Sequence, residues 1–176
     1  MSKLVVRALR CIEETDEVGN DDVYMVIFRG SFNLPPDVKV VGGKDTVWGD
    51  MHTGKLVVKD VVLDEPYHVE NIYVAVLFEQ DSGKDILKGN AWSKVVQFWA
   101  ENWSKFPGVK GSEQVAIGSL IVGGIIGGNV GEAIHIDDEF LGARRIPPIF
   151  MNDGLGTPLL FEGDGGRYRA RFVKRP

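Results

Sequence analysis

Apolar positions along this chain fall in short runs broken by turn chemistry, switch to helical spacing in the middle, and return to short runs near the end. Residues 3–12 are apolar nearly throughout, with Arg7 and Arg10 the interruptions. That density suits a strand covered on much of both faces. Tyr24-Met25-Val26-Ile27-Phe28 is rich in β-formers and is closed by Arg29-Gly30. Pro35-Pro36 and Gly42-Gly43 make residues 33–46 a loop or an edge. Val47-Trp48, Lys55 to Leu63 and Val69 to Phe78 read as further strands. In the last of these, Ile72, Val74 and Val76 share one side while Tyr73, Ala75 and Leu77 share the other, so a central strand is expected. Turn signals recur at Asp50, His52-Thr53-Gly54 and Asp64-Glu65-Pro66, the spacing of an antiparallel sandwich.

From Asp85 to about Phe106 the period becomes helical: Trp92, Val95, Val96, Trp99 and Trp103 recur at three- and four-residue intervals. Pro107-Gly108 stops the pattern. Val115 to Gly131 follows without a charged residue and with glycine at 118, 123, 124, 127, 128 and 131. Strand character returns at about Ile134, and Gly163-Asp164-Gly165-Gly166 is a turn. The end, Arg167-Tyr168-Arg169-Ala170-Arg171-Phe172-Val173, alternates basic with apolar residues as a strand with one wet face does. The pattern predicts a mainly β, single-domain chain over 1–176, an antiparallel β-sandwich interrupted by a helical, Gly-rich insertion at about 85–133.

Length and composition agree with one globular unit. The 176 residues are 44% hydrophobic and 26% charged, which excludes wholesale disorder. A net charge of −5 argues against a general nucleic-acid partner. Cys11 is alone, so no internal disulfide forms, and its place in an apolar run marks it as a small buried hydrophobe. The N-terminal residues carry no signal-peptide pattern, so a cytoplasmic location is expected, with non-classical export as the other route.

Three acidic clusters change the picture. Asp16-Glu17-Val18-Gly19-Asn20-Asp21-Asp22 packs four carboxylates between two predicted strands. Such a loop is either solvated, here as a hairpin turn on Gly19-Asn20, or neutralised by a cation. Glu79 and Asp81 stand two apart at the end of the central strand, and Asp137-Asp138-Glu139 follows the insertion. Calcium takes about six to eight oxygen ligands, mostly carboxylates and carbonyls, and three such loops at one end of a sandwich can supply them.

In these motifs the chain resembles a C2 domain, the calcium-dependent lipid-binding β-sandwich. The first calcium loop of that family has the form Asp-x-x-Gly-x-Ser-Asp-Pro-Tyr-Val. Here Asp16-x-x-Gly19-x-Asp21-Asp22-Val23-Tyr24-Met25 stands in the same register. Leu77-x-Glu79-x-Asp81 and Glu139-Phe140-Leu141-Gly142 resemble the later calcium loop. The resemblance covers about residues 3–82 and 134–173. It implies Asp16, Asp22, Glu79, Asp81 and Glu139 as calcium ligands, with Asp138 as a close substitute for Glu139. The chain departs from the family at Asp21 and Val23, at two glutamates in place of aspartates, and in the long stretch from Ser82 to Asp138.

The uncharged stretch 115–131 is near the lower length limit for crossing a bilayer, and its glycines weaken a helix by about 1 kcal/mol each. Two readings stand side by side. In one it forms a buried hairpin with the Trp-bearing helix. In the other Trp92, Trp99 and Trp103, with Leu120, Ile121, Ile125 and Ile126, contact a membrane or partner. Catalytic signals are few. His52, His68 and His135 have no ligand spacing, and neither a nucleophile elbow nor a phosphate loop occurs. Glu79 with Asp81 is the one pair suited to acid–base work. The expected role is therefore a non-enzymatic module binding calcium and a membrane lipid or protein partner. A membrane-active effector or toxin, and a structural protein forming a homo-oligomer through the insertion, are the alternatives.

Overall fold

The computed structural model describes residues 1–15, 19–30, 37–42, 46–80, 139–150 and 155–176. Within them the chain forms eight strands. These are β1 (Lys3–Glu13), β2 (Val23–Gly30), β3 (Asp37–Gly42), β4 (Leu56–Asp64), β5 (Ile72–Glu79), β6 (Glu139–Ile146), β7 (Thr157–Gly163) and β8 (Gly166–Arg175). They pair into two antiparallel four-stranded sheets, ordered β4-β1-β8-β7 and β3-β2-β5-β6. No helix occurs among the described residues, and the predicted helical insertion at 85–133 lies outside them.

The side chains between the sheets come from alternate positions. β2 gives Val23, Met25 and Ile27, β5 gives Tyr73, Ala75 and Leu77, and β8 gives Tyr168, Ala170 and Phe172, all buried. β1 gives Leu4 and Val6 and then Leu9 and Cys11. That switch from even to odd positions is explained by the irregularity between Val6 and Ala8, where one extra residue, Arg7, is inserted. A bulge resets the period-two alternation, so both halves of the strand present apolar side chains to the core. Each fully buried side chain of this size contributes roughly 1.5–3 kcal/mol.

The two outer faces differ. On the first sheet β8 turns Arg167, Arg169 and Arg171 to water, as its alternation predicts, and Val58 of β4 is 63% exposed. On the second sheet the outward positions are apolar too: Tyr24, Val26 and Phe28 of β2 and Val74, Val76 and Phe78 of β5 are all buried. β5 is thus interior to its sheet and covered on both sides, as expected of a central strand.

Several expectations are corrected. The acidic stretch is not a hairpin, because β1 and β2 belong to different sheets and residues 14–22 cross between them. Val47-Trp48 is not a strand but part of a turn closed by Gly49 N–H donating to the Thr46 carbonyl at 3.4 Å. The indole of Trp48 is wholly buried, and drawing it into the core bends the backbone. β5 begins at Ile72 rather than Val69, because residues 68–71 form a turn with Asn71 N–H on the His68 carbonyl at 3.1 Å. Residues 37–42 are an edge strand, in keeping with the edge reading of that stretch, whereas β7 was not foreseen. β7 is also an edge, which is where Pro158 is tolerated.

At the end of the sandwich where β4 stops and β5 starts, the Tyr73 hydroxyl donates to Asp64 Oδ2 at 2.5 Å. Arg29 Nη1 stands 3.1 Å from Asp64 Oδ1. Burial, and then the neighbouring carboxylate, push the Tyr73 phenol above its ordinary range.

Candidate functional site

In both sheets the antiparallel order brings one set of connections to the same end: those after β1, β3, β5 and β7. The acidic residues singled out by the sequence leave from this end. Asp22 precedes β2, Glu79 closes β5 and Glu139 opens β6. Val23 pairs with Glu79, and Glu79 pairs with Glu139, so Glu79 and Glu139 stand directly opposed, with Asp22 one residue before Val23 on the neighbouring strand end. Asp22 N–H points at Glu79 Oε1 at 3.4 Å, and Gln80 N–H donates to the Asp22 carbonyl at 2.8 Å. Glu79 is 6% exposed. Two carboxylates at directly opposite ladder positions repel, which makes the pair an attractive place for positive charge.

The loop between β3 and β4 adds another acid. Asp50 N–H donates to Asp22 Oδ1 at 2.9 Å, and Asp50 Oδ1 accepts from Asn20 Nδ2 at 2.5 Å. Lys55 Nζ donates to the Asp50 carbonyl at 2.7 Å and lies 3.5 Å from Asp50 Oδ2. The Asn20 amide, and then Lys55, hold the Asp50 carboxyl below its usual range. On the other flank Asp164, in the β7–β8 turn, accepts from Phe140 N–H through Oδ2 at 3.0 Å. Asp50 and Asp164 had been read only as turn residues. Their φ values of 57° and 41° fit turn geometry, and their carboxylates accept from Asn20 and from Phe140 N–H of β6.

Asp21 has a different task from Asp22. It is 2% exposed. Its Oδ2 accepts from Thr15 N–H at 3.1 Å and from the Tyr168 hydroxyl, while Oδ1 accepts from Thr15 Oγ1 at 2.9 Å. Its backbone forms both hydrogen bonds of a bridge to Met51, at 2.8 and 2.7 Å. Asp21 therefore ties the β1–β2 crossing to β8 and to the β3–β4 loop. The alternation of β2 carried this signal: Val23 faces the core, so Asp21, two residues earlier, shares its side. Burial, followed by the bond to Asp21, pushes the Tyr168 phenol far above its ordinary range. Cys11, also buried, has its thiol raised chiefly by burial.

Asp16, Asp81 and Asp138 lie outside the described residues, as do Trp92, Trp99, Trp103, Leu120, Ile121, Ile125, Ile126 and His135. Among the described residues no group of three His, Cys, Asp or Glu side chains is arranged to hold a metal ion. Asp22 and Glu79 fit a hard cation by donor type, but part of their oxygen capacity is already taken by backbone N–H groups. His52 and His68 are exposed, and among the described residues their side chains meet the Thr53 carbonyl and Glu70.

No protein-family model matches the chain, and no curated protein sequence matches it.

Proposed function

We propose that the acidic end of this sandwich binds calcium and that the protein is a non-enzymatic module joined through that ion to membrane lipid or a protein partner. The observation that carries the reading is the pairing of Glu79 with Glu139 at adjacent strand ends, with Asp22 beside Glu79 through its N–H. Chain connectivity supports it further. Asp81 follows Glu79 by two residues and Asp138 directly precedes Glu139, so both leave from these strand ends. Asp16 belongs to the crossing that Asp21 anchors. Asp22, Glu79, Asp81 and Glu139, with Asp16 and Asp138, would supply carboxylate oxygens, and the repulsion between Glu79 and Glu139 would be relieved by the ion.

The test is calorimetric titration and thermal melting of EDTA-stripped protein, with and without calcium, on the parent chain and on Asp22→Asn and Glu79→Gln. A ligand that binds only the folded state adds about 2.7 kcal/mol of stability at a hundredfold excess over its dissociation constant. A calcium-dependent rise in Tm that disappears in both variants is expected. No response up to millimolar calcium would refute the reading.

A second reading, a membrane-active effector, is favoured by one sequence observation: residues 115–131 carry no charge and many glycines. Dye release from anionic liposomes that is independent of calcium would support it over the first.

A further inference from the structure

On the outward face of the β4-β1-β8-β7 sheet the ladders align side chains into rows across the strands. The first row answers its own charge. Arg167 of β8 stands opposite Glu13 of β1 and Glu162 of β7, and its Nε donates to Glu162 Oε1 at 2.8 Å. The next two rows do not. One reads Leu56, Arg10, Arg169, Leu160 and the other Val58, Ala8, Arg171, Pro158, so neither holds a carboxylate. Arg10 and Arg169 are exposed, directly opposed, and without a hydrogen bond or ion pair among the described residues. Arg171 Nη1 donates to the Leu155 carbonyl at 3.0 Å, which leaves its charge in place.

Two features mark these rows as a contact surface. Leu56 and Val58 are 55% and 63% exposed, and they lie at one end of rows whose charges are all positive. Arginine beside exposed aliphatic side chains has the make-up of an interface anchor, because its stem covers apolar surface while its planar head pairs with a carboxylate. Like charges at directly opposed positions also destabilise a sheet, so these rows gain from carboxylates brought by another molecule. Three strand spacings of about 4.8 Å make the face about 14 Å wide. An open surface of that size suits a weak, reversible contact rather than a permanent one.

We propose that the occupant is a second copy of this chain, whose acidic end seats on the rows of Arg10, Arg169 and Arg171. The net charge of −5 hides a separation of charge, and the complement of the basic face is on the same molecule. Asp22, Asp50, Glu79, Glu139 and Asp164 gather at one end of the sandwich, with Lys55 beside Asp50. The Asp50 side chain is 73% exposed, and Asp164 is exposed as well. That end caps the strands whereas the basic face lies along them. Within one chain the two surfaces look in perpendicular directions and cannot meet. A face against its own copy would set arginine on arginine. End against face pairs opposite charges, and because the two surfaces differ it builds a ring or an open chain of copies rather than a two-fold dimer. This inference does not rest on calcium binding and survives its failure.

The test is sedimentation velocity of the full chain in EDTA over a range of concentrations, at low salt and at about 1 M salt, where charges are screened beyond about 3 Å. The parent is expected to gain average mass with concentration at low salt and to return to single chains at high salt. Two variants should stay single at low salt. Arg10→Glu with Arg169→Glu reverses the face but keeps like charges opposed at exposed positions, so folding is retained. Asp50→Asn with Asp164→Asn neutralises the end; asparagine accepts the positive φ of both turns and keeps an acceptor for Phe140 N–H. Mixed together, the two variants should form a one-to-one pair, since one keeps its acidic end and the other its basic face. Any of four results would overturn the proposal: a parent that stays single at every concentration, association that salt does not reverse, a face variant that still associates, or a mixture that does not pair. Binding of the parent but not the face variant to phosphatidylserine vesicles in EDTA, without self-association, would overturn it in favour of a membrane.

Discussion

Removing the Asp21 carboxylate tests whether an acid in the middle of the acidic crossing holds the fold together rather than an ion. Thr15 N–H, Thr15 Oγ1 and the Tyr168 hydroxyl all donate to it, and it is 2% exposed. A hydrogen bond to a charged group is worth about 1.5–3 kcal/mol net, and leaving a buried donor unpaired costs about 1–3 kcal/mol. The three bonds share one carboxylate, so they do not add fully. Asp21→Ala is expected to destabilise by about 3–5 kcal/mol, a third or more of what a small domain commonly has. Asp21→Asn keeps the shape but can turn an amide N–H toward donors, and about 2–4 kcal/mol is expected. Tyr168→Phe leaves both Thr15 bonds in place and should cost about 1–2 kcal/mol. The assay is urea unfolding. With a slope near 2 kcal/mol per molar, Asp21→Asn should lower the midpoint by about 1–2 M with the slope unchanged. The loss should be the same in EDTA and in calcium. An Asp21→Asn protein that unfolds like the parent in EDTA, and has lost only a calcium-dependent gain, would refute this role and make Asp21 a ligand.

The remaining predictions concern pH, backbone and surface charge. Tyr168 and Tyr73 both hold their protons more tightly in the folded chain than in the unfolded one. Their contribution is complete below about pH 10 and falls above it, by about 1.4 kcal/mol per pH unit for each tyrosine. Melting from pH 9 to 11.5 should therefore decline steeply, and Tyr168→Phe should flatten the decline; an equal slope in the variant would contradict it. Gly42 has φ of 97°, and a Cβ there would stand 2.6 Å from Trp48 Cε3 and 2.8 Å from the Val23 carbonyl oxygen. Gly19 has φ of 134° with nothing within 4 Å. Gly42→Ala should cost about 3 kcal/mol or more and Gly19→Ala about 1 kcal/mol, so equal melting losses would show that the contact with Trp48 carries no weight. Arg10 and Arg169 are directly opposed on β1 and β8, both exposed. Arg169→Glu should stabilise by about 0.2–1 kcal/mol at low salt, an effect that added salt removes.

Much of the sheet was legible because burial on both sides writes itself as unbroken apolar sequence. β1, β2 and β5 are such runs, and β8 shows the alternation of a half-wet strand. β7 was hidden because Thr157-Pro158 looks like a breaker, and at a sheet edge proline loses no ladder bond. Trp48 misled for the opposite reason: an apolar pair looked like a strand, although one buried indole can anchor a turn. Within the acidic end, the grouping of Asp22, Glu79 and Glu139 followed from their places at strand ends. The division of labour between Asp21 and Asp22 needed one step more, the extension of the β2 alternation back past Val23, because neighbouring residues of the same type differ only in which side of the strand they take. Asp50 and Asp164 were invisible as members of the cluster, since only the tertiary meeting of separate loops brings them there.

The ladder between β5 and β6 has a consequence for how this chain tolerates change. Glu79 and Glu139 are partners at its last rung, so everything from Gln80 to Asp138 hangs from a zipped stem whose two feet are fixed side by side. Closing a loop on such a stem costs chain entropy that grows only logarithmically, about 0.6 kcal/mol for each doubling of length. Insertions and deletions within that stretch are therefore nearly free in entropy and leave every strand register untouched.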